Sequence, residues 1–236
     1  MRKTGFTLIE CLMGLALSLL VAAAGFELFA RARTVFSRLK AREESAQAAL
    51  AALDRMRIDL LHAGEGLAVE VGLGLVAAAE TLPGELRTVS LEGPLVLAAG
   101  AAAGDERIAL ASTSDIAAGQ AIVLRDGTAG EVRTVLRVEP GAVVLDAPLG
   151  RGYAPAAAAV SLLETVSFRY DAAARVLRRR VNASPAQPLF EGAAAAAWTL
   201  DASSPLVRLR LELDMEGAPA HEATVFLKNA ALAGKL

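Results

Sequence analysis

Arg2-Lys3-Thr4-Gly5-Phe6-Thr7-Leu8-Ile9-Glu10, followed by the apolar run from Cys11 to Phe26, is the stretch on which the reading of this chain turns. Between Cys11 and Phe26 no side chain is charged, and only the thiol of Cys11 and the hydroxyl of Ser18 are polar. Counted from Phe6, the segment is about 21 residues, or roughly 31 Å of helix at about 1.5 Å per residue. A bilayer's hydrocarbon core is about 30 Å thick, so the stretch is long enough to cross one. Glu10 breaks the pattern. A carboxylate within a span costs about 2.5–3.5 kcal/mol on insertion scales, and its presence demands a compensating partner.

Three readings compete. A secretory signal peptide would use Arg2 and Lys3 as its basic start and Ala22-Ala23-Ala24 as its cleavage site before Gly25, but it leaves Glu10 unexplained. An uncleaved anchor that tolerates an acid is the second. In the third, Gly5-Phe6-Thr7-Leu8-Ile9-Glu10, with its basic leader and apolar continuation, resembles the type III signal of type IV pilins and type II secretion pseudopilins. The resemblance implies that a prepilin peptidase at the cytoplasmic face recognises the leader with Arg2 and Lys3, cuts between Gly5 and Phe6, and methylates Phe6. It also implies that Glu10 is an assembly residue, its carboxylate paired with the freed amine of a neighbouring subunit. Physical chemistry is consistent with this: an α-amine with a reference pKa of about 7.7–8.0 is cationic at neutral pH. A partly buried ion pair specifies geometry better than it adds stability. The plainer alternative is a glutamate that snorkels to the headgroups.

Composition narrows the choices. The chain has 236 residues, enough for one large or two small domains, and with 4% aromatics its core must come mainly from Leu, Val and Ala. Residues 1–62 carry nine Lys/Arg against six Asp/Glu, whereas residues 63–236 carry fifteen against twenty. An acidic distal part argues against bulk electrostatic capture of nucleic acid or anionic membrane. Cys11, the single cysteine, lies in the apolar span, so no intramolecular disulfide is available. Arg31, Arg33, Arg38, Lys40 and Arg42 follow the span and outnumber Arg2 and Lys3 before it. The positive-inside rule places those five in the cytoplasm. The resemblance implies the opposite: a single-pass inner-membrane protein with its N-terminus cytoplasmic and its globular domain periplasmic before it joins a fibre.

Beyond the span the pattern stays helical. Phe36, Leu39, Ala46, Leu50, Leu53, Met56 and Leu60 recur at helical spacing, opposite Arg38, Arg42, Glu44 and Asp54, and Gly64-Glu65-Gly66 supplies a stop. Asp59 and His62 read as a polar face at i, i+3. The segment Leu53 to Gly64 is similar to the helix end of PilW-type minor pilins and J-type minor pseudopilins. From Leu86 onward the period becomes two. Leu206 to Asp214 alternates apolar and charged residues as in a half-buried antiparallel strand. Val166 to Val181 reads as a hairpin through Asp171-Ala172-Ala173-Ala174. Glu222 to Lys228 reads as a last strand ending at Asn229, a further PilW-like feature. Between them Asp126-Gly127 and Glu139-Pro140-Gly141 mark turns in a small β module. Alanine tracts at 98–103, 156–159 and 193–197 read as connectors or short helices.

The expected fold is therefore α+β: a long N-terminal helix, membrane-spanning in its first half, packed on an antiparallel β-sheet domain with an inserted small β module. Its expected divisions are a leader at 1–5, a span at 6–27, an amphipathic helix at 28–64 and a β-rich domain at 65–236, with the insertion at 107–163. No nucleophile elbow, P-loop or dinucleotide fingerprint is present, and His62 and His221 are the only histidines, so no catalytic site, metal or cofactor is expected. Asp105-Glu106 and Asp214 with Glu216 are acidic pairs of the kind that can bind calcium but more often are solvated. Arg175, Arg178, Arg179 and Arg180 form a basic run without interleaved aromatics. Arg179 shares a face with Leu177 and Val181, so some of these arginines are expected to pair with acidic neighbours. The family resemblance implies a minor subunit at the tip or in priming of a type IV pilus, with a minor pseudopilin as the runner-up. The expected partners are prepilin peptidase, other subunits, an inner-membrane assembly platform and lipid. A membrane-tethered binding module or enzyme, its ligand held by 107–163, is the alternative from another class.

Overall fold

No proline precedes Pro83, and Gly14 and Gly25 are the only glycines between Phe6 and His62, so nothing in that stretch forces a break in a helix. The computed structural model describes residues 7–201, 204–215 and 218–233. Its first element, α1, runs Leu8–His62. Two compact units divide the chain, residues 1–47 and 48–236. In the first, α1 has no cover of its own: Leu12, Leu15, Leu19, Phe26, Phe29 and Phe36 are all exposed. Its surface charges pair along the helix, Arg31 with Glu27 and Lys40 with Glu44, both at i, i+4.

In the second unit α1 buries Ala49, Ala52, Leu53, Met56, Asp59 and Leu60. Leu53, Met56 and Leu60 face inward as their spacing predicts, but Leu50 is 54% exposed. Ala49 and Ala52 take the inner face in its place, and their small side chains let the helix backbone come close to what it covers. Asp59 also departs from its reading as part of a polar face with His62: it is turned inward, while His62 is exposed. The helix stops at Gly64, whose φ is +75° and where a Cβ would stand 2.9 Å from the Cβ of Ala78. Only glycine suits that position. The Gly64 N–H donates to Val89 O at 2.7 Å, so the chain passes directly from helix to sheet.

The remaining elements are α2 (Ala68–Gly72), β1 (Ala79–Leu82), β2 (Glu85–Leu95), β3 (Arg107–Ala109), β4 (Ala121–Asp126), β5 (Ala129–Glu139), β6 (Ala142–Leu145), β7 (Ala158–Asp171), β8 (Val176–Val181), β9 (Gln187–Glu191), β10 (Ala193–Leu200), β11 (Leu206–Leu213), β12 (His221–Phe226) and α3 (Lys228–Leu232). The described strand pairings are antiparallel. Both turn signals sit where expected: Gly127 lies between β4 and β5, and Pro140-Gly141 joins β5 to β6.

β7 is the spine of the larger sheet. One edge pairs with β2 from Ser161 and Val160 at one end to Arg169 at the other, with a bulge at Leu91/Gly93. Its other edge pairs first with β4, over Ala158 to Leu163, and then with β8, over Val166 to Asp171. The half next to β8 serves the helix. Leu86, Phe168 and Leu177, buried to within 1% of full cover, share with Arg179 the face turned to α1. The other half serves the module. β4, β5, β6 and β3 pair in series, and β3 returns to the chain after β2 through the Leu97–Leu110 bridge, with Ala98 N–H to Ala109 O and Ala111 N–H to Val96 O. The circuit closes into a small barrel. Its interior is filled by side chains that include Ile108, Ile122, Leu124, Val135, Leu145 and Tyr153.

The second sheet has the order β10-β11-β12. Val207, Leu209, Leu211 and Leu213 are buried, as their alternation predicts. Two expectations are corrected here. Ala193 to Ala197 is neither a connector nor a helix but most of strand β10, because pairing with β11 outweighs the low strand preference of alanine. Lys228 and Asn229 do not end the last strand; they begin α3. The Asn229 side-chain amide donates to the carbonyls of Leu61 and Ala63 at 3.2 and 3.1 Å, which covers groups that the end of α1 leaves without helical partners.

Candidate functional site

Of the residues that the sequence nominates, Arg2, Lys3, Gly5 and Phe6 lie outside the described residues. Glu10 stands in the first turn of α1. Thr7 immediately precedes that helix, and its backbone N–H and hydroxyl both donate to Glu10 Oε2, at 2.8 and 2.9 Å. In return the Glu10 N–H points to Thr7 Oγ1 at 3.4 Å. This is a reciprocal capping box, in which a threonine and a glutamate three residues on satisfy amides that the helix start leaves open. The positive end of the helix dipole adds to the effect. Glu10 therefore has a partner within its own chain that the charge argument overlooked, although Thr7-x-x-Glu10 before an apolar run is its sequence signature. Glu10 Oε1 makes no hydrogen bond among the described residues. Downstream, α1 holds a stretch long and apolar enough to cross a membrane, with a mean hydropathy of 2.1.

The basic run of the distal domain is dispersed by its strand. Arg179 turns inward and grips Asp59 through both carboxylate oxygens, Nε to Oδ2 at 2.7 Å and Nη2 to Oδ1 at 3.0 Å. Arg175 pairs with Asp214. Arg178 and Arg180 project from the opposite face. The pairing of Arg179 with an acid agrees with its place beside Leu177 and Val181.

One aspartate of each acidic pair has a partner. Asp105 accepts the Ala102 N–H at 2.7 Å within its own turn, and Asp214 is held by Arg175; Glu216 lies outside the described residues. Among the described residues no three His, Cys, Asp or Glu side chains gather as metal ligands would. Within the barrel, the Tyr153 hydroxyl donates to Glu131 Oε1 at 3.0 Å, and the same carboxylate accepts the Gly150 N–H. Burial, then that hydrogen bond, push the tyrosine above its ordinary pKa. These contacts tie strand to loop.

No family model matches the chain, and no curated protein matches it. Among solved structures it is similar in part to the tailspike protein gp49 from Pseudomonas phage LKA1, at 26% identity over 30% of this chain and 14% of that one, with a TM-score of 0.26. The Pseudomonas phage phi297 tailspike gp61 follows at 19% identity over 31% and 14%, with a TM-score of 0.29. The gp54 tailspike of Acinetobacter baumannii bacteriophage AP22 follows at 15% over 33% and 15%, with a TM-score of 0.28. The chain spans about one seventh of the length of these structures.

Proposed function

We propose that the chain is a minor subunit of a type IV pilus, acting at the tip or in priming: a structural and assembly protein, not an enzyme. It is stored in the inner membrane through α1, cut between Gly5 and Phe6, and then drawn into a fibre whose core is built from such helices. The observation that carries this reading is the start of α1, where an apolar helix without cover follows a carboxylate with one oxygen unengaged among the described residues. The capping box fixes Glu10 Oε2 and leaves Oε1 to accept the cationic amine of a neighbouring subunit's first residue. Held in this way, the acid is a preset acceptor and not a flexible side chain, which suits a contact that sets register.

A minor pseudopilin of a type II secretion system is the second reading, since the Asp59-Leu60-Leu61-His62-Ala63-Gly64 helix end resembles both kinds of subunit. Crosslinking in cells that hold both machines separates the two through the partners recovered. Mass spectrometry of the mature N-terminus tests the shared core of both. A chain that begins at N-methyl-Phe6 supports it, and a chain that begins at Gly25 replaces it with simple secretion.

A further inference from the structure

On the sheet face opposite Arg179, strand register gathers three arginines. Arg169 stands directly across from Arg178, and Arg180 directly across from Ser167. With Glu85 and Asp171 they line a cavity of about 470 Å³. Like charges directly opposite on paired strands repel, so this arrangement weakens the sheet unless something compensates it. The carboxylates compensate only in part. Glu85 is engaged by Arg87 at 3.5 Å, and Asp171 lies 4.0 Å from Arg178 while it also accepts the Ala174 N–H. Arg169 and Arg180 have no ion pair or hydrogen bond among the described residues. Ser167, a residue 6% exposed, also lines the cavity. Arg169, which has Glu85 directly across from it on β2, and Arg180 are exposed, so the cavity presents its guanidinium groups to solvent with an excess of positive charge over the two carboxylates.

We propose that this cavity binds a single phosphate group carried by a small phosphate ester. Three guanidinium forks and one hydroxyl match a compact, doubly charged tetrahedral anion, which arginine holds through paired N–H bonds. The volume is that of a small-molecule site. A nucleic-acid strand fits less well, because the positive patch ends abruptly. The flanking Arg87 is neutralised by Glu80 and Glu85, Arg175 by Asp214, and residues 63–236 are acidic in sum. The inference does not depend on the fibre reading.

The test uses the full chain in detergent micelles, titrated by calorimetry with inorganic phosphate, glycerol 3-phosphate and a single-stranded oligonucleotide. Saturable binding of glycerol 3-phosphate is expected, weakened about tenfold or more in Arg169→Gln and again in Arg180→Gln. Asp171→Asn, which removes a repelling charge, is expected to tighten it several-fold. The thermal transition of Trp198 fluorescence verifies that each variant is folded. Three results would overturn the proposal: no saturation at millimolar ester, equal affinity in the folded arginine variants, or tight binding of the oligonucleotide with none of the ester. Saturation by inorganic phosphate alone, with the ester excluded, overturns the ester as ligand.

Discussion

Replacing Arg179 by methionine keeps the bulk of the side chain and removes its charge. Asp59 then remains on the inner face of α1 with a side chain 7% exposed, and its only other cation among the described residues is Arg55, 3.4 Å away and itself 48% exposed. Breaking one side of a buried ion pair costs about 3–5 kcal/mol, because the remaining charge can neither hydrate nor pair. Arg55 compensates in part, so the lower end, about 3 kcal/mol, is expected. Against a total of about 5–15 kcal/mol, that is a large share. In urea it moves the midpoint down by about 1–1.5 M at a slope of about 2–3 kcal/mol/M. Trp198, the single tryptophan, lies in β10 and reports the unfolding. The double variant Asp59→Leu/Arg179→Met removes both charges and is expected to recover to within about 1 kcal/mol of the parent. If Arg179→Met loses less than about 1 kcal/mol, or if the double variant is no better than the single one, the pair is not what fixes the helix on the sheet.

Glu10→Ala is expected to abolish incorporation into the fibre, measured by immunoblot of sheared fibres; Glu10→Gln keeps an oxygen for the Thr7 N–H but no charge, so normal assembly of that variant would reduce Glu10 to a helix cap. Asn229→Ala removes two hydrogen bonds from the carbonyls that end α1 and is expected to cost about 1–2 kcal/mol in the same urea assay. Arg107 and Arg137 beside Glu139 hold its carboxyl below the usual range, so its contribution is present above the unfolded value and is lost as pH falls through the folded one. Glu139→Gln should therefore melt with a shallower acid-side decline than the parent, and an unchanged profile would refute that contribution.

What was readable in the residues was what is local. The absence of proline, the apolar run and the glycine at 64 made α1 plain, and strict alternation made β11 plain. Asp59 was opaque because its partner lies 120 residues further along the chain, and a lone aspartate at helical spacing from a histidine looks like a solvated face. Ala193 to Ala197 was opaque because alanine carries little preference of its own, so the state is decided by the neighbouring strand. The barrel was half legible. Its turns have signatures, but its closure depends on Leu97 meeting Leu110 and on β7 being long enough to serve two assemblies. The arginine cavity exists only through register, which places Arg169 and Arg178 side by side.

That shared strand constrains how the molecule can be altered. The insertion between β2 and β7 cannot be trimmed back to a tight loop at its own ends, since Leu95, Val160 and Leu162 would lose the neighbours that cover them. The natural seam is the irregularity near Leu91, opposite Leu162 and Leu163, where the paired strands pass from one duty to the other. A graft made there would swap the outer lobe while the part that clasps the helix stays whole.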